Sequence, residues 1–374
     1  MIADTTRAPA LSAPIRGVVE PRAHRSTALF APTPTLSFST VPSHLIPRPR
    51  LQALLAAAPN HRIAVIGDAM LDVYLRGDVT RISPEAPVPV VRVRDRRYAL
   101  GGAANVAQNV AAIGAAVELV ASVGFDTSAT QLREMLAAIG SDVRSLVPVN
   151  RPTTTKTRIV ARAQQVVRVD EEVDDDHSPD EVALLLEAAE AAVESADALV
   201  LEDYNKGVLV PGVIERAMQA ARARGIPVVV DPKFRNFFAY TGATIFKPNL
   251  RELEDALGAT VDLDHPATLP ALVHRLGVDA VLLTLSERGM ALIEGGSAPQ
   301  GAHRIPTTAR EVYDVVGAGD TVTAWLAVML AAGATPLEAS VIANFAAGVE
   351  VGKLGAATVS PDELLAAYDH HAKR

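Results

Sequence analysis

The sequence contains no cysteine. Disulfides, thiolate catalysis and cysteine-ligated metal sites are therefore excluded, and a reducing compartment is compatible. There is no long block of lysine and arginine, and the formal net charge is −8. A nucleic-acid partner is accordingly not expected. No uninterrupted apolar run reaches membrane length, so the expectation is a soluble, cytoplasmic protein without a membrane partner. Several catalytic signatures are missing too. The absence of GxxxxGK[ST] argues against a P-loop, and the strand ending in VIGD lacks the GxGxxG of a dinucleotide site. HExxH, GxSxG and histidine clusters are also absent, and the His370–His371 pair near the end is expected in solvent.

What remains is 374 residues, 49% hydrophobic, enough for a sizeable core. Residues 1–50 stand apart. They carry eight of the 25 prolines, six arginines, no lysine and two acids. This composition predicts a disordered extension outside the fold. Arg-rich, acid-poor N-termini also resemble organelle transit peptides.

From about residue 60 the pattern changes. HRIAVIGD, ADALVLED, IPVVVDP, ATIFKP and VDAVLLTL read as buried strands that end in polar residues. Between them, SPDEVALLLEAAEAAVESA, PGVIERAMQAARARG and LPALVHRLG carry helical periodicity. Such alternation predicts an α/β fold, a mainly parallel central sheet with helices on both faces. Ligands of these sheets gather beyond the carboxyl ends of the strands. Two stretches break the rule. SPEAPVPVVRVRDRRYAL and TTTKTRIVARAQQVVRVDEE alternate like half-exposed strands, and predict a small β lid from about residues 76–98 and 153–172. The acidic run DEEVDDDHSPDE lacks the glycine of a calcium loop and reads as a solvated turn.

Short motifs sit at the predicted strand ends, each with a plain alternative. GDAMLD places Asp68 and Asp72 where carboxylates can accept sugar hydroxyls, or cap a helix. Gly101 and Gly102 in LGGAANVAQNV permit close ligand approach, or pack as a tight turn, and Asn105 follows them. DYNKG offers Asp203 and Lys206, and DPK offers Lys233; Lys206 could meet a phosphate as a point charge, or lie on the surface. In KPNLRELE, Asn249 and Glu252 are spaced either to hold hydrated Mg²⁺ or to form a capping box. In DVVGAGDT, Gly317, Ala318 and Gly319 precede Asp320 at the mouth of an apolar helix. That arrangement serves as a turn with a capping acid, or as an anion cradle with a proton acceptor.

Taken in order, these motifs resemble the ribokinase-like (PfkB) carbohydrate kinases over residues 60–372. The resemblance implies a three-layer α/β/α fold with a β lid, and ATP, Mg²⁺ and a monovalent cation such as K⁺ as cofactors. By it, Asp320 would be the catalytic base and Gly317–Gly319 the anion hole. Asn249, Glu252, Ser286, Gly289 and Asn344 would bind the nucleotide, with Glu252 reaching Mg²⁺ through water. Asp314, near the Gly355–Ser360 loop, would hold the monovalent cation. Asp68, Asp72, Gly101, Gly102, Asn105, Arg162, Gln164, Asp203, Lys206 and Lys233 would line the sugar-phosphate site. RISPEAPVPVV, QQVVRVD, DYNKGVL and VGKLGAATVS narrow the resemblance to the heptose-7-phosphate kinases of lipopolysaccharide-core assembly. These phosphorylate O1 of D-glycero-β-D-manno-heptose 7-phosphate. Another sugar kinase of the family is the alternative; a non-catalytic sugar-binding protein fits the intact motifs less well. Some relatives carry a fused nucleotidylyltransferase with HxGH; that motif is absent here, so adenylylation is not expected of these residues. DPKF and ARAQQ depart from the DPKG and RNQQ-like stretches of many relatives. A homodimer paired through lid edges is expected.

Overall fold

The computed structural model describes residues 38–42, 45–162, 164–264, 269–295 and 301–372. At its centre, β2 (Arg62–Gly67) lies between β5 (Ala116–Val123) and β9 (Ala198–Glu202), parallel to both. The parallel run continues through β10 (Val228–Asp231), β11 (Ile245–Phe246) and β12 (Ala280–Thr284). Antiparallel β13 (Met290–Glu294) and β14 (Gly301–Ile305) extend one side, and short β6 (Leu146–Pro148) closes the other.

Strand alternation divides the core into two layers. On β2, Ile63 and Val65 join one hydrophobic cluster, while Ala64 and Ile66 join the other. On β9, Ala198 and Val200 part from Leu199 and Leu201 in the same way. The first cluster is covered by α2 (Ala103–Ile113), α8 (Ala318–Ala331) and α9 (Pro336–Glu350). The second is covered by α4 (Pro179–Glu194), α5 (Pro211–Arg224) and α7 (Leu269–Leu276). The expected strands and helices are thus present. Between β2 and β9, β5 and α3 (Thr127–Ala138) are additions that the motif reading left unassigned.

The lid is a separate four-stranded sheet in the order β4-β3-β7-β8. Its strands are β3 (Ala69–Ile82), β4 (Pro89–Gly102), β7 (Thr155–Ala161) and β8 (Gln164–Glu171). GDAMLD is therefore not a turn or helix cap: from Ala69 onward it is the root of a lid strand.

The fold also begins earlier than composition predicts. β1 (Ser39–Thr40) pairs parallel with His303 and Arg304, and Val41 and Ile46 are buried. Helix α1 (Arg48–Ala57) follows, with proline in its first turn. Proline is tolerated at sheet edges and helix starts, so a proline-rich average hides these short docking pieces. The rest of the expected extension, residues 1–37 with 43 and 44, lies outside the described residues. Among the described residues, no helix is long and apolar enough to cross a membrane.

Candidate active site

Helix α8 starts where the central strands end. Gly317, its N-cap, has φ 91°, and an added Cβ would lie 2.9 Å from Asn105 Nδ2. Only glycine gives both that backbone conformation and that space. One turn in, Asp320 is buried. Its Oδ2 accepts from Asn105 Nδ2 at 2.7 Å, and its Oδ1 from the Tyr204 hydroxyl at 3.0 Å. Burial pushes the Asp320 carboxyl up to about 6; the nearby Asp231 charge adds, while the Asn105 and Tyr204 hydrogen bonds oppose. Burial and the Asp320 charge raise the Tyr204 phenol well above its ordinary value, so it stays a donor. Asn109 Nδ2 bonds to the Asn105 carbonyl at 3.0 Å, and Thr321 Oγ1 donates to Asn109 Oδ1 at 3.2 Å, which ties α2 to α8.

Beside Asp320 lie Glu202 and Lys247, which motif reading missed, and Asp231, the strand-end acid of DPK. Glu202 ends β9 and Asp231 ends β10; their carboxylate oxygens and that of Asp320 fall within 4.8 Å of one another. Lys247, buried just after β11, donates to Asp231 Oδ2 at 2.7 Å. Burial works against its ammonium, but Asp231 and Glu202 outweigh it and raise its pKa. The available signal was a carboxylate closing the apolar strand ALVLE and a lysine opening KPN.

On one side of α8 a cavity of about 380 Å³ is lined by Ser286, Gly289, Asn344, Ala318 and Gly319. Val315, Ala347, Gly348 and Val351 contribute its apolar wall. The nucleotide candidates Ser286, Gly289 and Asn344 are thus brought together with the GAGD turn. Asn344 also donates to the Pro306 carbonyl at 2.8 Å, fixing the cavity's loop.

Asn249 and Glu252 form the capping box of α6 (Leu250–Leu257): Asn249 Oδ1 accepts from Glu252 N at 2.8 Å, and Glu252 Oε2 from Asn249 N at 3.0 Å. Glu252 Oε1 also pairs with Lys233, whose ammonium stands 5.5 Å from the Tyr204 ring centre. Asp314 accepts from Val316 N at 3.1 Å and from Gly355 N at 3.2 Å, joining the two segments proposed to share a cation.

Several sugar-site candidates are committed elsewhere. Asp68 is buried and accepts three backbone amides, from Tyr204, Lys206 and Val208, at 2.8, 3.0 and 3.1 Å. It anchors the DYNKG loop rather than offering a free acceptor. Asp203 accepts from the Tyr240 hydroxyl and from Asn205 N, both at 2.7 Å. Asp72 pairs with Arg158 across the lid. Lys206, expected to be free for a phosphate, instead lies 2.9 Å from Glu172 and 2.5 Å from Asp174. The acidic run is correspondingly not a purely solvated turn; it clasps Lys206, and its His177 is buried. Arg162 and Gln164 are exposed at the lid hairpin, beside Gly77. Counted along β3, Gly77 is roughly 25 Å from Ala69 at ~3.3 Å per residue. Arg162 N donates to the Gly77 carbonyl at 3.2 Å, and Gln164 pairs with Ala161, so both are held within the lid sheet. Gly101 and Gly102 are in place: Gly102 has φ 56°, and an added Cβ would sit 2.4 Å from the Asp68 carbonyl. His370 is exposed, whereas His371 packs edge-on against Phe345, 5.6 Å between ring centres, and so is not simply in solvent.

Residues 60–363 match the sequence profile described as pfkB family carbohydrate kinase. The chain belongs to the pfkB family of carbohydrate kinases. It is 49% identical over 324 residues to the bifunctional protein HldE of Azorhizobium caulinodans, covering 85% of this chain and 67% of that protein. The HldE of Shewanella amazonensis is 46% identical over 323 residues, covering 86% and 66%. The chain thus spans about two thirds of the length of these curated relatives. Arabidopsis thaliana ribokinase, solved with ribose and ATP, superposes with a TM-score of 0.64 at 22% identity, covering 82% of this chain and 98% of that one. Phosphofructokinase-2 from Escherichia coli, solved with potassium, gives 0.69 at 19%, covering 83% and 99%. Both establish the ribokinase-like fold of this pfkB member.

Proposed function

We propose that this pfkB kinase transfers the γ-phosphoryl group of ATP to O1 of D-glycero-β-D-manno-heptose 7-phosphate, giving the 1,7-bisphosphate for ADP-heptose and lipopolysaccharide-core synthesis in the cytoplasm. One observation carries the reading. Asp320 is a buried carboxylate between a nucleotide-sized cavity, reached through Ala318 and Gly319, and the lid root with Gly102, Asn105 and Tyr204. The heptose assignment draws on the RISPEAPVPVV, QQVVRVD, DYNKGVL and VGKLGAATVS segments and on the 42–49% identity to HldE proteins.

Phosphoryl transfer is mainly positioning and charge stabilisation. Asp320 takes the proton of the accepting hydroxyl. Asn105 and Tyr204 aim its two oxygens, and the first turn of α8 presents backbone N–H groups toward developing negative charge. The lid excludes water, which competes as acceptor. Glu252 fits a hydrated Mg²⁺, because a carboxylate has about four acceptor sites and, among the described residues, only Asn249 N and Lys233 draw on them. When bound, Mg²⁺ neutralises phosphate oxygens. Asp314 fits a monovalent cation: its carboxylate spans Val316 N and Gly355 N, and the buried Glu350 carboxyl adds a second acidic group nearby. Ser286, Gly289 and Asn344 hold the nucleotide. The lid's exposed Ile82, Val88, Val93, Val167 and Val169 favour pairing with a second copy.

The test is to incubate the protein with Mg–ATP and a panel of hexose, heptose and pentose phosphates, and to weigh the products. A bisphosphate formed from the heptose 7-phosphate alone supports the reading. Preferential phosphorylation of another sugar overturns the substrate, and no transfer to any acceptor overturns the kinase.

A further inference from the structure

Glu202, Asp231 and Asp320 bring three carboxyl groups within 4.8 Å of one another. Like charges this close favour a cation or a proton among them. Lys247 already supplies the cation, 2.7 Å from Asp231. The donors are unevenly shared. Asp320 receives two, from Asn105 and Tyr204, and Asp231 receives Lys247. Glu202 is fully buried, and among the described residues neither of its oxygens has a hydrogen-bond donor. A buried carboxylate without donors is the costliest of the three to ionise.

We propose that Glu202 is a positioning residue for Asp320: as a neutral carboxylic acid it donates to Asp231 and leaves the cluster's reactive negative charge on Asp320. This rests on reading Asp320 as the proton acceptor. The titratable groups facing Glu202 are Asp231 from β10, Lys247 just after β11, Asp320 from α8 and Tyr204 just after β9. Burial, then Asp231 and Asp320, push the Glu202 carboxyl well above its ordinary value, in accord with the geometry. The consequence is functional. Were Glu202 ionised, its charge would raise Asp320 further and leave the base protonated at neutral pH. With Glu202 neutral, Asp320 can ionise.

The test compares kcat/KM against pH for wild type, Glu202→Gln and Glu202→Leu. Glutamine is neutral and keeps a donor, so the acid limb should stay within about 0.3 pH unit, with the rate falling less than tenfold. Leucine removes the donor to Asp231, so repulsion should move the limb upward. If Glu202 is charged in the native protein, Glu202→Gln instead lowers the limb by on the order of two units, from Coulomb's law at an effective dielectric of about 20. A downward shift of one unit or more overturns the proposal, as does a limb left unmoved by both variants. Carboxyl-¹³C NMR gives an answer should the variants not fold. In Glu350→Gln protein, which lacks the buried glutamate whose carboxyl is raised to about 8, one glutamate signal should remain in its protonated position at pH 8. Its absence overturns the proposal. That measurement needs no turnover, so failure of the kinase reading would be seen separately, as a wild type that transfers nothing.

Discussion

Asn105, in the helix that leaves the lid, donates to Oδ2 of Asp320 at 2.7 Å across 215 residues of chain. That hydrogen bond lowers the Asp320 pKa against the burial that raises it to about 6. Proton abstraction needs the carboxylate, so the rate should fall as pH drops through about 6. Asn105→Ala removes the opposing bond, so the acid limb should move up, with a larger loss at pH 6 than at pH 8. Asp320→Asn, which cannot take a proton, should lose ~10²–10⁴-fold in rate while still binding ATP. A pH–rate profile and a nucleotide-binding titration check both statements.

Glu252→Gln separates the cap from the charge. Glutamine can still close the capping box, so stability should change by less than ~1 kcal/mol. The lost charge should raise the Mg²⁺ concentration needed for half-maximal rate. A magnesium titration beside a thermal melt decides it; an unchanged Mg²⁺ requirement leaves Glu252 as a cap alone.

Lys206 is clasped by Glu172 and Asp174. Lys206→Met should therefore cost up to ~1 kcal/mol of stability. It should alter KM for heptose 7-phosphate and for unphosphorylated heptose by the same factor. A rise of tenfold or more confined to the phosphorylated sugar would make Lys206 the phosphate contact, since a charge-assisted bond is worth ~1.5–3 kcal/mol.

Ile46 is buried with Val41 beside the α1 helix. Ile46→Ala should destabilise by ~2–4 kcal/mol, as expected for a large-to-small core change. Denaturant unfolding measures it. A loss under ~0.5 kcal/mol would mean that the segment adds little to the fold, as for an ordinary surface position.

Burial pushes the Glu350 carboxyl up to about 8, with Asp314 and Asp320 adding. A carboxyl raised in the folded state binds more protons there than in the unfolded chain. Stability is therefore lost as pH rises from the ordinary glutamate range to about 8 and is level above it. Glu350→Gln should raise Tm at pH 8 by on the order of 2 °C or more and leave it unchanged near pH 4. Melting curves at the two pH values check the sign.

The sequence by itself determined the sheet, its two helical layers and the GAGD turn. Each rests on local rules: alternation sends Ile63 and Ala64 to opposite faces, and the φ of Gly317 suits glycine. The family was legible because its motifs are short and ordered along the chain. What only tertiary structure decided is where each charge is spent. Asp68 and Asp203 look like free strand-end acceptors, yet backbone amides and the Tyr240 hydroxyl fill them. Glu202, Asp231 and Lys247 lie on three different elements, and nothing in their local spacing says that they meet Asp320. Hydrogen bonds and ion pairs depend on distances of a few ångströms between parts of the chain that only folding brings together.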